Sequence, residues 1–157
     1  MTPKYAIRKA TPEDYPFIYS SWLKSFRNSD FSTTQANHVY HLNQHNIIEE
    51  ILNTCEVYLI TSSPSPEQEI LFGFIAYEYL QNVPVIHYLY IKYTYRGFGL
   101  GKALFNLAVN TLPDGSKEPF LYTYHSFDAK QLRVKFNACI YNPYIAIVKI
   151  WKRFTND

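Results

Sequence analysis

Cysteine is nearly absent from this 157-residue chain: Cys55 and Cys139 are the only two, too few for a disulfide framework. Disulfide-scaffold folds are thereby excluded, and a reducing compartment is expected. Net charge is equally scant. Fifteen Lys and Arg stand against 13 Asp and Glu, a formal +2, without the basic clusters of a dedicated nucleic-acid binder. No run approaches about 18 uninterrupted apolar residues, so no membrane span is expected. The opening MTPKYAIRKA lacks the apolar stretch of a secretory signal. A soluble, cytoplasmic protein is the expectation. Glycine is short too, with five in all, yet Gly97, Gly99 and Gly101 fall in one turn and only Gly73 and Gly115 lie elsewhere. Glycine costs conformational entropy, so such a cluster requires a reason, and close approach of backbone to a ligand is the usual one.

Aromatics, by contrast, are plentiful, with 15 Tyr and 11 Phe. The length suits a single domain over residues 1–157. Tyr5 to Lys9 reads as a strand. Thr11 as N-cap and Pro12 at N1 then start a first helix that carries Tyr15, Ile18, Trp22 and Phe26 at helical spacing to about Arg27. A second helix is expected over Thr34 to Asn53, with Val39, Leu42, Ile48, Ile51 and Leu52 on its apolar side and His38, His41 and His45 on the other. Strands follow over Glu56 to Thr61, Ile70 to Leu80 and Val83 to Tyr93, the last two forming an antiparallel hairpin around Gln81-Asn82. Leu100, Ala103, Leu104, Leu107, Ala108 and Leu112 give a helix with one buried face, stopped by Pro113-Asp114-Gly115. Phe120 to His125 is a strand that must run parallel to the one before that helix. A short helix over Asp128 to Phe136 precedes two closing strands, Ala138 to Tyr141 and Ile145 to Phe154, around Asn142-Pro143. The fold class is α+β, with a mixed, mainly antiparallel sheet flanked by helices.

Two phosphate-binding motifs fail at the glycine turn. A P-loop needs Ser or Thr after its lysine, and Ala103 follows Lys102; a dinucleotide fingerprint needs G-x-G-x-x-G, and this is G-x-G-x-G. The pattern present is Arg96-x-x-Gly99-x-Gly101, after an apolar strand and before an amphipathic helix. It resembles the acetyl-CoA-binding signature of the GNAT superfamily of N-acyltransferases, [Q/R]-x-x-G-x-[G/A]. Leu89-Tyr90-Ile91 stands where that family ends its fourth strand, Tyr95-Arg96-Gly97 matches its Y-R-G, and Ile7 to Asp14 is similar to its usual opening. The resemblance implies a GNAT-like fold and acetyl-CoA as acyl donor. It implies that the backbone of Leu89, Tyr90 and Ile91 pairs with the pantetheine arm. The turn from Arg96 through Gly97, Phe98, Gly99, Leu100, Gly101 and Lys102 would then hold the pyrophosphate. A helix start with exposed N–H groups and partial positive charge suits that anion. Lys102 either adds charge there or is simply solvated.

The reaction implied is direct attack of an amine on the thioester, which needs a base, oxyanion stabilisation and a proton for the departing thiolate. His87 is the candidate base. It stands nine residues before Arg96, similar to a catalytic histidine of the arylalkylamine N-acetyltransferases, and alternation puts it on one strand face with Val85, Leu89 and Ile91. A histidine in an aromatic strand is also commonly a hydrogen-bonded core residue, so both roles stand open. For the acid, the family's late tyrosine aligns with Arg133, with Asn137 at the following glycine, and its asparagine after the fifth strand is replaced by Ser126 or Asp128. Tyr141 is then the candidate acid, in competition with Tyr122, Tyr124 and Tyr144. The His38, His41, His45 face lacks a completing cysteine or acid and is read as solvated or as lining the acceptor site, with no metal expected. The acceptor implied is an amine on a small molecule, peptide or protein. Two alternatives keep the fold: a nucleobase-modifying enzyme using Lys149, Lys152 and Arg153 on DNA, or a non-catalytic module that binds coenzyme A.

Overall fold

Arg8 ties the start of the chain together in the computed structural model, which describes residues 3–27, 36–63, 68–81, 83–110, 120–124 and 139–146. Its guanidinium grips Asp14 through Nη1–Oδ2 at 2.8 Å and Nη2–Oδ1 at 2.7 Å, and Glu69 through Nε–Oε2 at 3.1 Å. Asp14 also accepts the Thr11 N–H at 2.8 Å, so the expected cap region forms and turns the chain from strand β1 (Ala6–Lys9) through a 3-10 turn into helix α1 (Tyr15–Arg27). Helix α2 (Asn37–Thr54) and strands β2 (Glu56–Thr61), β3 (Leu71–Leu80) and β4 (Val83–Ile91) follow. Helix α3 (Leu100–Asn110), β5 (Phe120–Tyr122) and β6 (Cys139–Tyr141) complete the described elements.

The six strands lie in sequence order across one sheet. β1 to β4 pair antiparallel, while β4–β5 and β5–β6 are parallel. The parallel step at β4–β5 is what a helix crossover requires, because α3 carries the chain back to its starting end. Each face of the sheet has its own apolar core. On one face α3 sets Leu100, Leu104, Phe105 and Ala108 against Phe72, Ile75, Ile86, Leu89 and Ile91. On the other, α1 and α2 set Ile18, Trp22, Ile48 and Ile51 against Leu59, Phe74, Ala76 and Tyr88. Trp22 stacks on Tyr88 at 4.5 Å and meets Tyr124 edge-on at 5.6 Å, pairs that contribute about 1 kcal/mol each beyond their buried area.

Three expectations are corrected. Val39 and Leu42 are exposed on α2; the buried stripe is Tyr40, Gln44, Ile48, Ile51 and Leu52. Tyr40 wins the inward position because its ring is buried and its hydroxyl donates to Leu23 O of α1 at 2.7 Å. Residues 144–146 begin a helical turn rather than a strand, and the Tyr144 N–H donates to Asn142 Oδ1 at 3.1 Å. Asn142-Pro143 is thus a helix cap with proline in the first turn, not a hairpin corner. Finally, strict alternation fails in β4. Tyr88 pairs with Ala76 but Ile86 pairs with Tyr77, so His87 is the extra residue of a β-bulge. Ile86 therefore joins Leu89 and Ile91 on the α3 face, while Tyr88 lies on the other. The helix expected over 128–136, the stop at 113–115, the strand residues 147–154, the positions 126, 128, 133 and 137, and the basic residues 149, 152 and 153 lie outside the described residues.

Candidate functional site

At the end of β4 the backbone turns through Tyr93–Tyr95 into the glycine segment. Arg96 braces this turn from within. Its Nε donates to Ile91 O at 2.8 Å, and its guanidinium stands 5.9 Å from the ring centres of Tyr90 and Tyr93. Gly97 and Gly99 adopt φ of +87° and +82°, the left-handed region that a side chain would strain, and nothing lies within 4 Å of where a Cβ would stand. Their upper side is open. The first α3 rung is Ala103 N–H to Gly99 O at 3.1 Å, so the N–H groups of Leu100, Gly101 and Lys102 lie ahead of it at the helix start. Leu100 is buried as the anchor, whereas Phe98 and Lys102 are exposed. Gly101 packs over the strand, its Cβ position 3.6 Å from Ile91 Cγ1 and 4.0 Å from Leu89 Cδ2. Gly73, to which the sequence assigned no role, is the tightest of the described glycines: a Cβ there would stand 2.1 Å from Tyr90 O.

β5 pairs with β4 only at Val85 and Ile86, and Thr123 N–H donates to Ile86 O at 3.1 Å. Beyond that point the described part of β5 makes no rung with β4. Beside His87 lies a narrow cleft lined by His87, Leu89, Phe120, Tyr122 and Tyr124, with a cavity volume of about 10 Å³. That is room for roughly one water.

His87 is 1% exposed and held at both ring nitrogens. Nε2 lies 2.8 Å from Glu78 Oε2, and Nδ1 lies 3.0 Å from Thr123 Oγ1. Thr123 Oγ1 also lies 3.3 Å from His87 O, and Cys55 Sγ donates to Glu78 Oε2 at 2.7 Å. The bulge aims the imidazole at this set. With the Glu78 carboxylate accepting from Nε2–H, a neutral imidazole keeps its lone pair at Nδ1, facing the Thr123 hydroxyl, which has either Nδ1 or His87 O as acceptor for its one proton. Sequence reasoning missed Glu78, Thr123 and Cys55. Glu78 had a signal: it is the lone carboxylate in the apolar run LFGFIAYEYL.

The tyrosines separate by face. Tyr124 lines the cleft and packs on the α1/α2 side; burial pushes its phenol far above the ordinary value, and the hydrogen bond with Gln44 opposes that shift. Tyr141 packs on the α3 side, its ring 5.3 Å from Tyr122, and burial with the neighbouring Tyr122 raises its phenol. Tyr144 is exposed. His38, His41 and His45 are exposed on α2, with His45 stacked on Tyr19 at 4.5 Å and His41 edge-on to Tyr40 at 5.3 Å.

No family model and no curated protein matches the chain. Solved structures do. An acetyltransferase of the GNAT family from Staphylococcus aureus Mu50 is 15% identical, covers 85% of this chain and 80% of its own, and gives a TM-score of 0.56. A histone acetyltransferase HPA2 and related acetyltransferase from Corynebacterium glutamicum is 17% identical over 86% of this chain and 83% of its own, at 0.57. PaiA N-acetyltransferase from Thermoplasma acidophilum, in complex with coenzyme A, is 15% identical over 85% and 87%, at 0.54. Identities this low speak for the fold. In the described residues, the sheet with its parallel β4–β5 step, the flanking helices and the likeness to these structures make this the fold of the GNAT acetyltransferases.

Proposed function

We propose that the protein is an acetyl-CoA-dependent N-acetyltransferase acting on an amine, with His87 as the base. The observation that carries this reading is the cleft at His87, which lies on the strand that leads into the glycine turn. The turn fits a pyrophosphate, since Gly97 and Gly99 leave their upper side clear and three N–H groups sit at the start of α3. Leu89, Tyr90 and Ile91 run past the last β5 rung and are the strand segment offered to the pantetheine amides, with Arg96 bracing its end. When bound, acetyl-CoA supplies the acyl group as a thioester.

The residues then divide the remaining work. His87 Nδ1 takes the ammonium proton of the acceptor through the Thr123 hydroxyl: the hydroxyl passes its own proton to Nδ1 and receives the acceptor's. Glu78 holds Nε2–H and stabilises the imidazolium that results. Tyr124 is the better-placed proton donor to the departing thiol, because it lines the same cleft as His87 and burial keeps its phenol protonated; Tyr141 lies on the far face of the sheet.

Two measurements test the reading. Millimolar coenzyme A must raise the melting temperature, as any ligand of the native state does. Thiol release from acetyl-CoA must accelerate with some amine in a panel of small, peptide and protein acceptors. No thermal shift from a folded protein refutes the donor assignment; a shift without thiol release across the panel identifies a binding module instead.

A further inference from the structure

Three ligand atoms, a soft sulfur, a borderline nitrogen and a hard oxygen, meet at one point: Cys55 Sγ, His87 Nε2 and Glu78 Oε2, all within 4.8 Å of one another. They come from three elements. Cys55 caps the C-terminus of α2 with its N–H on Ile51 O, Glu78 lies on β3, and His87 is the bulge residue of β4. We infer that these three side chains form a binding site for a zinc-class divalent cation, and that the ion and the acyl-transfer reaction compete for the same imidazole.

The donor set selects the metal. Thiolate, imidazole and carboxylate together are ligands for zinc, whereas magnesium and calcium take oxygen alone. Three protein ligands leave a fourth tetrahedral position for water. The contacts of 2.7 Å from Sγ to Oε2 and 2.8 Å from Oε2 to Nε2 are hydrogen bonds through shared protons. Replacing those protons by one ion requires the ligand atoms to separate by roughly half an ångström to an ångström, within side-chain reach. Cys55 is part-exposed, which gives the ion a way in.

The outer contacts fit as well. A histidine that binds metal through one nitrogen is commonly held at the other, and Thr123 Oγ1 holds Nδ1 at 3.0 Å. The protons balance. On binding, the Nε2 proton is replaced by one at Nδ1, which donates to Thr123 Oγ1. The hydroxyl then turns to donate to His87 O, 3.3 Å away. Cys55 gives up its S–H proton, so one proton is released per ion. In that state Nδ1 no longer offers a lone pair, and the base is switched off. The competition rests on the assignment of His87 as base; the affinity for metal does not.

The full chain is titrated with Zn2+ against a chromophoric chelator, and with Co2+ as a spectroscopic probe. Expected are one ion per chain, one proton released in the pH range where the thiol is protonated, and a thiolate-to-cobalt charge-transfer band. Cys55→Ser, which keeps a hydroxyl beside Glu78, must lose the band and weaken binding at least tenfold, with a melting temperature confirming that it is folded. Glu78→Gln must weaken binding by a similar factor. Zinc bound equally well by Cys55→Ser, or no zinc binding tighter than millimolar in the wild type, overturns the site. Zinc bound at the site of an active enzyme without inhibition overturns the competition. Zinc bound tightly by a protein with no transferase activity upholds the site and counts against the proposed function alone.

Discussion

Replacing Gly73 by alanine puts a methyl group where the chain has left none. The new Cβ would stand 2.1 Å from Tyr90 O, 2.8 Å from Ile91 Cδ1 and 3.0 Å from Ile91 Cα. Real Cβ atoms essentially never come closer than 3.0 Å to such a neighbour, so β3 and β4 must separate locally by nearly an ångström. The obstacle is a backbone carbonyl, which no rotamer can move aside. The adjoining bond, Lys92 N–H to Phe72 O, is 2.8 Å long and would stretch beyond useful range. Overpacking of this kind costs about 1–3 kcal/mol and a weakened backbone bond about 1 more, so we expect a loss of about 3 kcal/mol. That is a factor of roughly 150 in the folding equilibrium. Urea unfolding followed by circular dichroism measures it as a lowered midpoint at unchanged slope. Gly97→Ala is the control: nothing lies within 4 Å of its Cβ, so only the φ of +87° is penalised, at about 1 kcal/mol. A Gly73→Ala protein destabilised by less than about 0.5 kcal/mol would refute the steric reasoning.

Gly101→Ala is expected to raise stability by about 0.5–1 kcal/mol, because alanine is the better helix former and its Cβ makes ordinary contacts of 3.6 and 4.0 Å, while the coenzyme A-induced thermal shift shrinks. His87→Ala is expected to slow acceptor-dependent thiol release about 10²–10⁴-fold with that thermal shift retained. Asp14 reports on pH: burial alone would raise its carboxyl, but the hydrogen bonds and charge of Arg8 and the Thr11 N–H outweigh burial and lower it. A carboxyl depressed in the folded state stabilises above its unfolded value of about 3.9 and loses that contribution as pH falls through the folded value. Asp14→Asn should therefore cost about 2 kcal/mol at neutral pH and flatten the acid limb of the urea-midpoint profile, Glu69 remaining as partner to Arg8.

Local signals in the sequence carried far. The strands, the crossover helix and the glycine turn were legible because each is set by short-range chemistry: alternation, a helical stripe, and backbone that only glycine adopts without strain. The network around His87 was not, because it joins residues 55, 78, 87 and 123, and nothing local in a strand announces its partner on the neighbouring strand. Alternation misled at β4 for a related reason, since a bulge is decided by the pairing strand and not by the strand that carries it. On α2, period alone admits two overlapping stripes, and the tertiary contact of Tyr40 with α1 chose between them.

The bulge at His87 has one more consequence. Register on its two sides differs by a single residue: Ile86 faces Tyr77 while Tyr88 faces Ala76. Excision of His87 would join these two stretches into an unbroken ladder, with Ile86 still toward α3, Tyr88 still toward Trp22 and every later side chain where it was. The histidine is thus a one-residue insertion in a strand that is complete without it. A chain of 156 residues lacking it would keep the architecture and lose only the imidazole that Glu78 and Thr123 hold.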